Sequence, residues 1–418
     1  MGYTENLIDF IGKSTDCYHA VKTAKDRLDE NCFTELFESD KWDVQSGGKY
    51  YVIRNSSSII AFEMPKKDFG AFMICASHTD SPSFKLKPDF EINTDGCIKL
   101  SVEGYGGMIM SSWLDRPLSI SGRIVTAKNG KVETKLVNID RDLLVIPSLA
   151  IHMSRDINKG YEFNIRRDMC PIASEKNGRI EDIIAENVGV DKEEILGFDL
   201  SLYNRLRGTV LGADGEYFSA PRIDDLQCMY STLEGFLNSE SDDNVTVFAA
   251  FDNEEVGSGT KQGAKSSFLR DVLERICDNS ETYKRAVAKS FMLSCDNAHA
   301  VHPNFADKSD GTNRVYMNGG IVIKYNANQR YTTDAVSEAV VKYVCKNAGV
   351  PYQMYANRSD IPGGSTLGNL SNEKVSLNTA DIGLAQLAMH SSYETAGSRD
   401  TEYMVKMIKE FYKTEIVL

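Results

Sequence analysis

The chain has 418 residues, enough for two or three packing units at roughly 150 residues each, and its 42% hydrophobic and 26% charged content is that of a globular protein, not a disordered, collagen-like or membrane one. Lys and Arg number 47 against 60 Asp and Glu, and a net charge of −13 argues against a nucleic-acid partner, because a polyanion calls for a basic face. Met1 to Asn6 carry neither the basic nor the apolar region of a signal peptide, and the longest apolar runs fall far short of the ~18 residues that span a bilayer, so no signal peptide and no membrane partner are expected. Nine cysteines are scattered singly with no Cys-x-x-Cys pair, which points to a reducing cytoplasm and to thiols acting as small apolar fillers.

The first 30 residues read as helical, with Thr4 capping a turn that carries Leu7, Ile8 and Ile11, followed by a stripe of Val21, Ala24 and Leu28. Lys49 to Ile53 and Ser58 to Phe62 read as a hairpin, and Ala71 to Ala76 as a strand apolar on both faces, the pattern of a covered central strand. Residues 92–215 change to β-prone segments with Gly-rich turns, including a hairpin of Ser119 to Ala127 and Lys131 to Asn138 across a type I′ turn at Asn129-Gly130, and a short helix near Arg179 to Leu196. This stretch is expected to be a β-rich unit inserted into an α/β domain formed by 1–91 and 216–418. Val245 to Phe251, Phe291 to Ser294 and Ile321 to Tyr325 read as further strands. A helix capped by Thr333, with Val336, Val340 and Val344 inward, is expected to end at Gly349, and a last helix from near Ser398 to bury Met404, Met407, Ile408 and Phe411.

Three of these strands run straight into ionisable residues: His78 in one case, Asp252 to Glu255 in the second, Asp296 in the third. Ligands of α/β sheets sit outside the carboxyl ends of strands, so these side chains are candidates to share one crevice. Each fragment also has a plainer reading. His78 could be a hydrogen-bonded loop histidine, Glu254-Glu255 a solvated helix start, and Asp224-Asp225 the acidic first turn of a helix. Asp80 could orient a metal-bound imidazole from the second ring nitrogen, and adjacent carboxylates at a strand end can divide metal binding from proton transfer. One or two imidazoles with several carboxylates make an N/O donor set suited to zinc, cobalt or manganese. His-Glu-x-x-His is absent, so spacing leads no further than a metal hydrolase.

Five motifs in order then become recognisable: Ser-His-Thr-Asp-Ser-Pro (77–82), Pro-Arg-Ile-Asp-Asp-Leu (221–226), Phe-Asp-Asn-Glu-Glu-Val-Gly-Ser (251–258), Ser-Cys-Asp-Asn-Ala-His-Ala-Val-His-Pro-Asn (294–304) and Gln-Leu-Ala-Met-His-Ser (386–391). Together they resemble the M18 family of metallo-aminopeptidases, which includes aspartyl aminopeptidase, and this chain is similar to its bacterial branch. The resemblance implies two zinc ions, replaceable by cobalt or manganese, with His78 and Asp296 on one, Glu255 and His390 on the other, and Asp224 bridging. It implies Glu254 as general base, with Asp80 as the carboxylate that orients it. It further implies a mixed-sheet peptidase domain interrupted by a dimerisation domain, and dimers assembled into a tetrahedral dodecamer around a chamber.

The same resemblance implies that His152 reaches the neighbouring subunit's active site and that Lys324 faces the substrate side chain, where a cation favours an N-terminal Asp or Glu. Some relatives accept neutral residues such as Leu. Asp225 stands where the family motif often has Asn, and the glycine segment 361–366 is expected to line the substrate pocket. The expected activity is removal of N-terminal residues from peptides. The alternatives are a related metal carboxypeptidase or deacylase, or a self-assembling carrier without activity.

Overall fold

The computed structural model describes residues 2–128, 130–175, 178–240, 243–361 and 363–416. Among them lies a nine-stranded mixed sheet whose middle holds four parallel neighbours: Val245–Phe251, Phe72–His78, Phe291–Cys295 and Asn378–Gly383. The Lys49–Arg54 and Ser58–Glu63 hairpin extends one edge, and Ile321–Tyr325 with Tyr352–Ala356 the other. Side chains alternate across a strand, which explains the unbroken apolar runs. Phe72, Ile74 and Ala76 face one core while Met73 and Cys75 face the other. The second of these cores is shared with helices Tyr3–Lys13, Cys17–Glu30, Ile223–Leu237, Ala335–Ala348 and Asp400–Lys413, and the first with Phe268–Ile276. The architecture is therefore a mixed α/β fold with a helical layer on each face of the main sheet.

The caps of two helices differ from those expected. Thr4 lies inside the first helix, its hydroxyl donating to the Ser398 carbonyl at 2.6 Å, while Leu7, Ile8 and Ile11 are buried as expected. Thr333 does not cap the Ala335–Ala348 helix. Asp334 does, accepting the Ser337 N–H at 2.8 Å in a reciprocal capping box, while the Thr333 hydroxyl accepts the Asp381 N–H at 2.9 Å. Val344 is buried as expected and Val340 is half-buried against the core, but Val341 is buried and Val336 is exposed. Gly349 ends the helix in the left-handed conformation at φ +64°. Asp334→Ala is expected to lower stability by about 1 kcal/mol, measured as a shift in the urea midpoint.

A separate six-stranded sheet runs in the order Lys131–Asn138, Leu118–Lys128, Ile195–Asn204, Ser83–Asn93, Ile98–Tyr105, Ile172–Ser174, around its own core of Phe84, Leu100, Ile120, Ile124, Val137 and Leu202. Its strands run from Ser83 to Asn204. Phe84, Leu86 and Phe90 point into this sheet's own core, whereas Thr209–Leu211 and Tyr217–Ala220 pair into a third, five-stranded sheet with Glu394–Gly397, Ala385–Leu387 and Ala298–His299. The hairpin pairs Lys128 with Lys131 as expected, but Asn129 of its turn lies outside the described residues. Arg179 to Leu196 is only partly helical, Ile180–Val188, and Ile195 opens the next strand. No helix of the described residues is long and apolar enough to cross a membrane.

Candidate metal centre

Adjacent parallel strands bring the expected residues together. His78 ends its strand directly opposite Phe251, the next strand over delivers Asp252 to Glu255, and the third delivers Asp296. Asn253 takes φ +63°, turning the chain so that Glu254 and Glu255 fold back in a short 3-10 turn. Asp224 comes from the start of the Ile223–Leu237 helix, where Asp224 and Asp225 depart from helical geometry and their carboxyls turn out of the helix toward the strand ends. His390 lies between Ala385–Leu387 and Glu394–Gly397, at φ +66°.

Two groups of potential ligands result: His78, Asp224, Asp225 and Asp296, and Asp224, Glu255 and His390, with the ligand atoms of each group within 4.8 Å of one another. Asp224 belongs to both. Its Oδ1 is 3.3 Å from His78 Nε2 and its Oδ2 3.4 Å from His390 Nε2, and that same nitrogen is 3.4 Å from Glu255 Oε2. Glu254 belongs to neither group.

The donor set fits cations. Asp80, Asp224, Asp225, Glu254, Glu255, Asp296 and Glu394 crowd carboxyls into one region, where Lys324 lies beside Asp296 and Arg222 acts on Glu394. Buried charges persist when paired or bound to metal. Glu255 Oε1 and Asp225 Oδ1 are buried without a hydrogen-bond partner, which is the state of oxygens awaiting a ligand. Burial, only partly offset by His78, pushes Glu254 up to about 8, and burial together with Asp224 raises Glu255. Burial would raise Asp224 too, but the His390 and His78 imidazoles hold it below the usual carboxylate range.

Asp80 acts on the glutamates through their backbone. Its Oδ1 accepts the Glu254 N–H at 3.1 Å and lies 3.4 Å from His78 Nδ1, and its Oδ2 accepts the Glu255 N–H at 3.2 Å. Its carboxylate therefore fixes the glutamate turn, while its backbone carbonyl, 3.0 Å from His78 Nδ1, holds the imidazole. The Tyr105 hydroxyl, from the second sheet, donates to Asp80 Oδ2 at 2.6 Å and accepts from Asn253 Nδ2 at 2.8 Å. Next to it Gly106, at φ +71°, passes so near Glu255 that a Cβ would stand 3.1 Å from the Glu255 Cβ. Gly383 is just as constrained, since a Cβ there would meet the Asp296 carbonyl oxygen at 1.9 Å.

Lys324 is only 3% exposed, against the expectation for an ordinary strand-edge lysine. Its Nζ donates to the Asn297 carbonyl at 2.8 Å and lies 3.3 Å from Asp296 Oδ2, and Asp296 keeps it charged despite burial. His152 belongs to neither ligand group and is exposed, in an irregular stretch beside exposed Leu149, Ile151 and Met153. Asp225, the departure from the family motif, accepts the His78 N–H at 3.1 Å. Of the glycine segment 361–366, Pro362 lies outside the described residues, and Thr366 donates its hydroxyl to Asp381 Oδ1 at 2.5 Å. Tyr105 and Glu394 went unread in the sequence, because their significance depends on contacts between distant segments.

Comparison with known proteins agrees with this geometry. Residues 10–412 match the family described as Aminopeptidase I zinc metalloprotease (M18). A probable M18 family aminopeptidase 2 of Clostridium acetobutylicum is 45% identical over 428 residues, covering 98% of each chain. The structure is similar to a chain in the complex of Ape4 and Nbr1, with a TM-score of 0.95, 34% identity, and 98% of this chain and 85% of that one covered. It is also similar to the S. cerevisiae mApe1 dodecamer, with a TM-score of 0.85, 29% identity, and 98% and 96% covered. Carrying a dinuclear ligand set that meets at Asp224, this chain is a metallo-aminopeptidase and belongs to the M18 family of aminopeptidase I zinc metalloproteases.

Proposed function

We propose that the enzyme removes single N-terminal residues from peptides using zinc at both ligand groups, with His78 and Asp296 holding one ion, Glu255 and His390 the other, and Asp224 both. The observation that carries this reading is the orientation of Asp224, one oxygen toward His78 and the other toward His390. When bound, the two ions supply Lewis acidity that lowers the pKa of a water and polarises the scissile carbonyl. Glu254, half-buried beside the centre and in neither ligand group, takes the proton of the attacking water on its carboxylate and returns it to the leaving amine. Asp80 keeps Glu254 and Glu255 in place through their amides and keeps His78 oriented through Nδ1. Cobalt or manganese would substitute, given the oxygen-rich donor set.

Lys324 is proposed to favour acidic N-terminal residues. An ammonium has three N–H donors, of which the Asn297 carbonyl and Asp296 take two, so one is left for a substrate carboxylate. Initial rates on Asp, Glu, Leu and Lys aminoacyl substrates test this. Asp and Glu substrates are expected to be preferred by the wild type, and Lys324→Met to reduce the Asp-to-Leu rate ratio at least tenfold; a Leu-only enzyme removes Lys324 as selector. Dialysis against a chelator is expected to abolish every rate and added zinc to restore it, and activity that survives complete metal removal would overturn the whole reading.

The assembly is proposed to be dimers built into a dodecamer, with the second sheet as the dimerisation unit and His152 entering the neighbouring site. The whole-chain similarity to the mApe1 dodecamer and the exposed Leu149, Ile151 and Met153 around His152 support it. Nine unpaired cysteines support a cytoplasmic location. Sedimentation velocity is expected to show a particle far larger than one 46.5 kDa chain, and a stable monomer would remove both the assembly and the role of His152.

A further inference from the structure

We propose that Glu394 is a positioning residue of the metal centre, a carboxylate that clamps the backbones of Asp224 and His390 into the mutual placement their shared ligand group requires. This role rests on the assignment of those two residues as metal ligands. Glu394 is 2% exposed, opens the strand Glu394–Gly397, and pairs there with Ala220, four residues before Asp224. Its Oε2 accepts the Asp224 N–H at 3.0 Å, and its Oε1 accepts the His390 N–H at 2.7 Å and lies 3.4 Å from the donating Gln386 Nε2. Every partner is a donor, so both carboxyl oxygens are used as acceptors.

The clamp matters because the backbone it grips is in an uncommon state. His390 adopts φ +66°, a left-handed conformation that a residue with a Cβ takes only where its surroundings hold it there. Here its N–H is held by Glu394 and its carbonyl by the Ile109 N–H at 3.0 Å, so the peptide is fixed from both sides. Without Glu394 two amide donors on two different ligands, that of Asp224 buried and that of His390 part-buried, lose their acceptor at once. The 3.4 Å approaches of His390 Nε2 to Asp224 Oδ2 and Glu255 Oε2 depend on that fixed backbone. Glu394 itself belongs to neither ligand group, so its effect on metal passes through the residues it holds.

The test measures zinc affinity of the folded full-length protein by competition with a chelating fluorophore, and metal per subunit by elemental analysis, for wild type, Glu394→Gln, Glu394→Asp and His390→Ala. Glu394→Gln preserves volume but presents an amide to one backbone N–H. It is expected to weaken zinc at the group containing His390 by about 10- to 100-fold, as loss of an outer-shell partner does. Affinities within threefold of wild type at both groups would overturn the proposal, as would a lowered melting temperature of the metal-free protein with zinc affinity unchanged, the mark of packing alone. Should the Gln variant fail to fold, Glu394→Asp, too short to reach both amides, decides by the same thresholds. A wild type binding fewer than two ions, or a His390→Ala variant still binding two, would overturn the ligand assignment, which keeps the two failures separate.

Discussion

Glu254→Gln is expected to bind as many metal ions per subunit as the wild type and to turn over about 10²- to 10⁴-fold more slowly, the range lost with a general acid or base. The substitution keeps the shape of a side chain that belongs to neither ligand group, so metal content should not change. What changes is the proton acceptor. Burial pushes the Glu254 carboxyl up to about 8, and a carboxylate made more basic by its surroundings is a better acceptor for a water proton, whereas an amide accepts none. The backbone N–H of residue 254 is expected still to donate to Asp80 Oδ1 in the variant, so the turn that carries Glu255, the proposed ligand beside it, should persist. Elemental analysis and initial rates on Asp and Leu aminoacyl substrates together check this. Near-normal turnover would remove Glu254 as the base, and loss of metal would make it a ligand.

The parts of this enzyme legible in its sequence are those where local pattern and function coincide. A central strand buried on both faces has to be apolar throughout, so the ionisable residue that ends it stands out, and His78, the Glu254-Glu255 pair and Asp296 were all found at such ends. Asp224 and His390 carry no such signal, and they entered through resemblance of whole motifs. Boundaries failed where one residue of shift was enough. Thr333 and Asp334 are both good caps, and only the position of Asp381, which binds the Thr333 hydroxyl, decides between them. The Ser83–Asn93 strand has an alternation, with Phe84 and Leu86 inward, that does not by itself say which core it faces. Tyr105 and Glu394 were invisible for a further reason. Each contacts the centre only after two distant segments meet: Tyr105 across 25 residues to Asp80, Glu394 across 170 to Asp224.

Asp224→Asn is expected to do what no other single ligand substitution does, namely weaken metal binding at both groups together. Its two oxygens face different imidazoles, and an amide keeps one oxygen while replacing the other with an N–H₂ that cannot coordinate. His390→Ala, by contrast, removes a member of one group only and should leave one ion per subunit. The consequence reaches stability, because a ligand that binds only the folded state stabilises it by RT ln(1 + [L]/Kd), about 2.7 kcal/mol at a hundredfold excess over Kd for each site. Zinc should therefore raise the melting temperature of the wild type most, that of His390→Ala less, and that of Asp224→Asn hardly at all. Metal-free protein should feel the substitution differently. There the Asp224 carboxylate is held below its ordinary pKa by His390 and His78, so its ionised form contributes stability above about pH 4 that is lost as pH falls through the depressed value, and Asp224→Asn should flatten that acid dependence. An Asp224→Asn protein that retains one tightly bound ion, with a zinc-induced melting shift equal to that of His390→Ala, would show that the two groups do not share this residue.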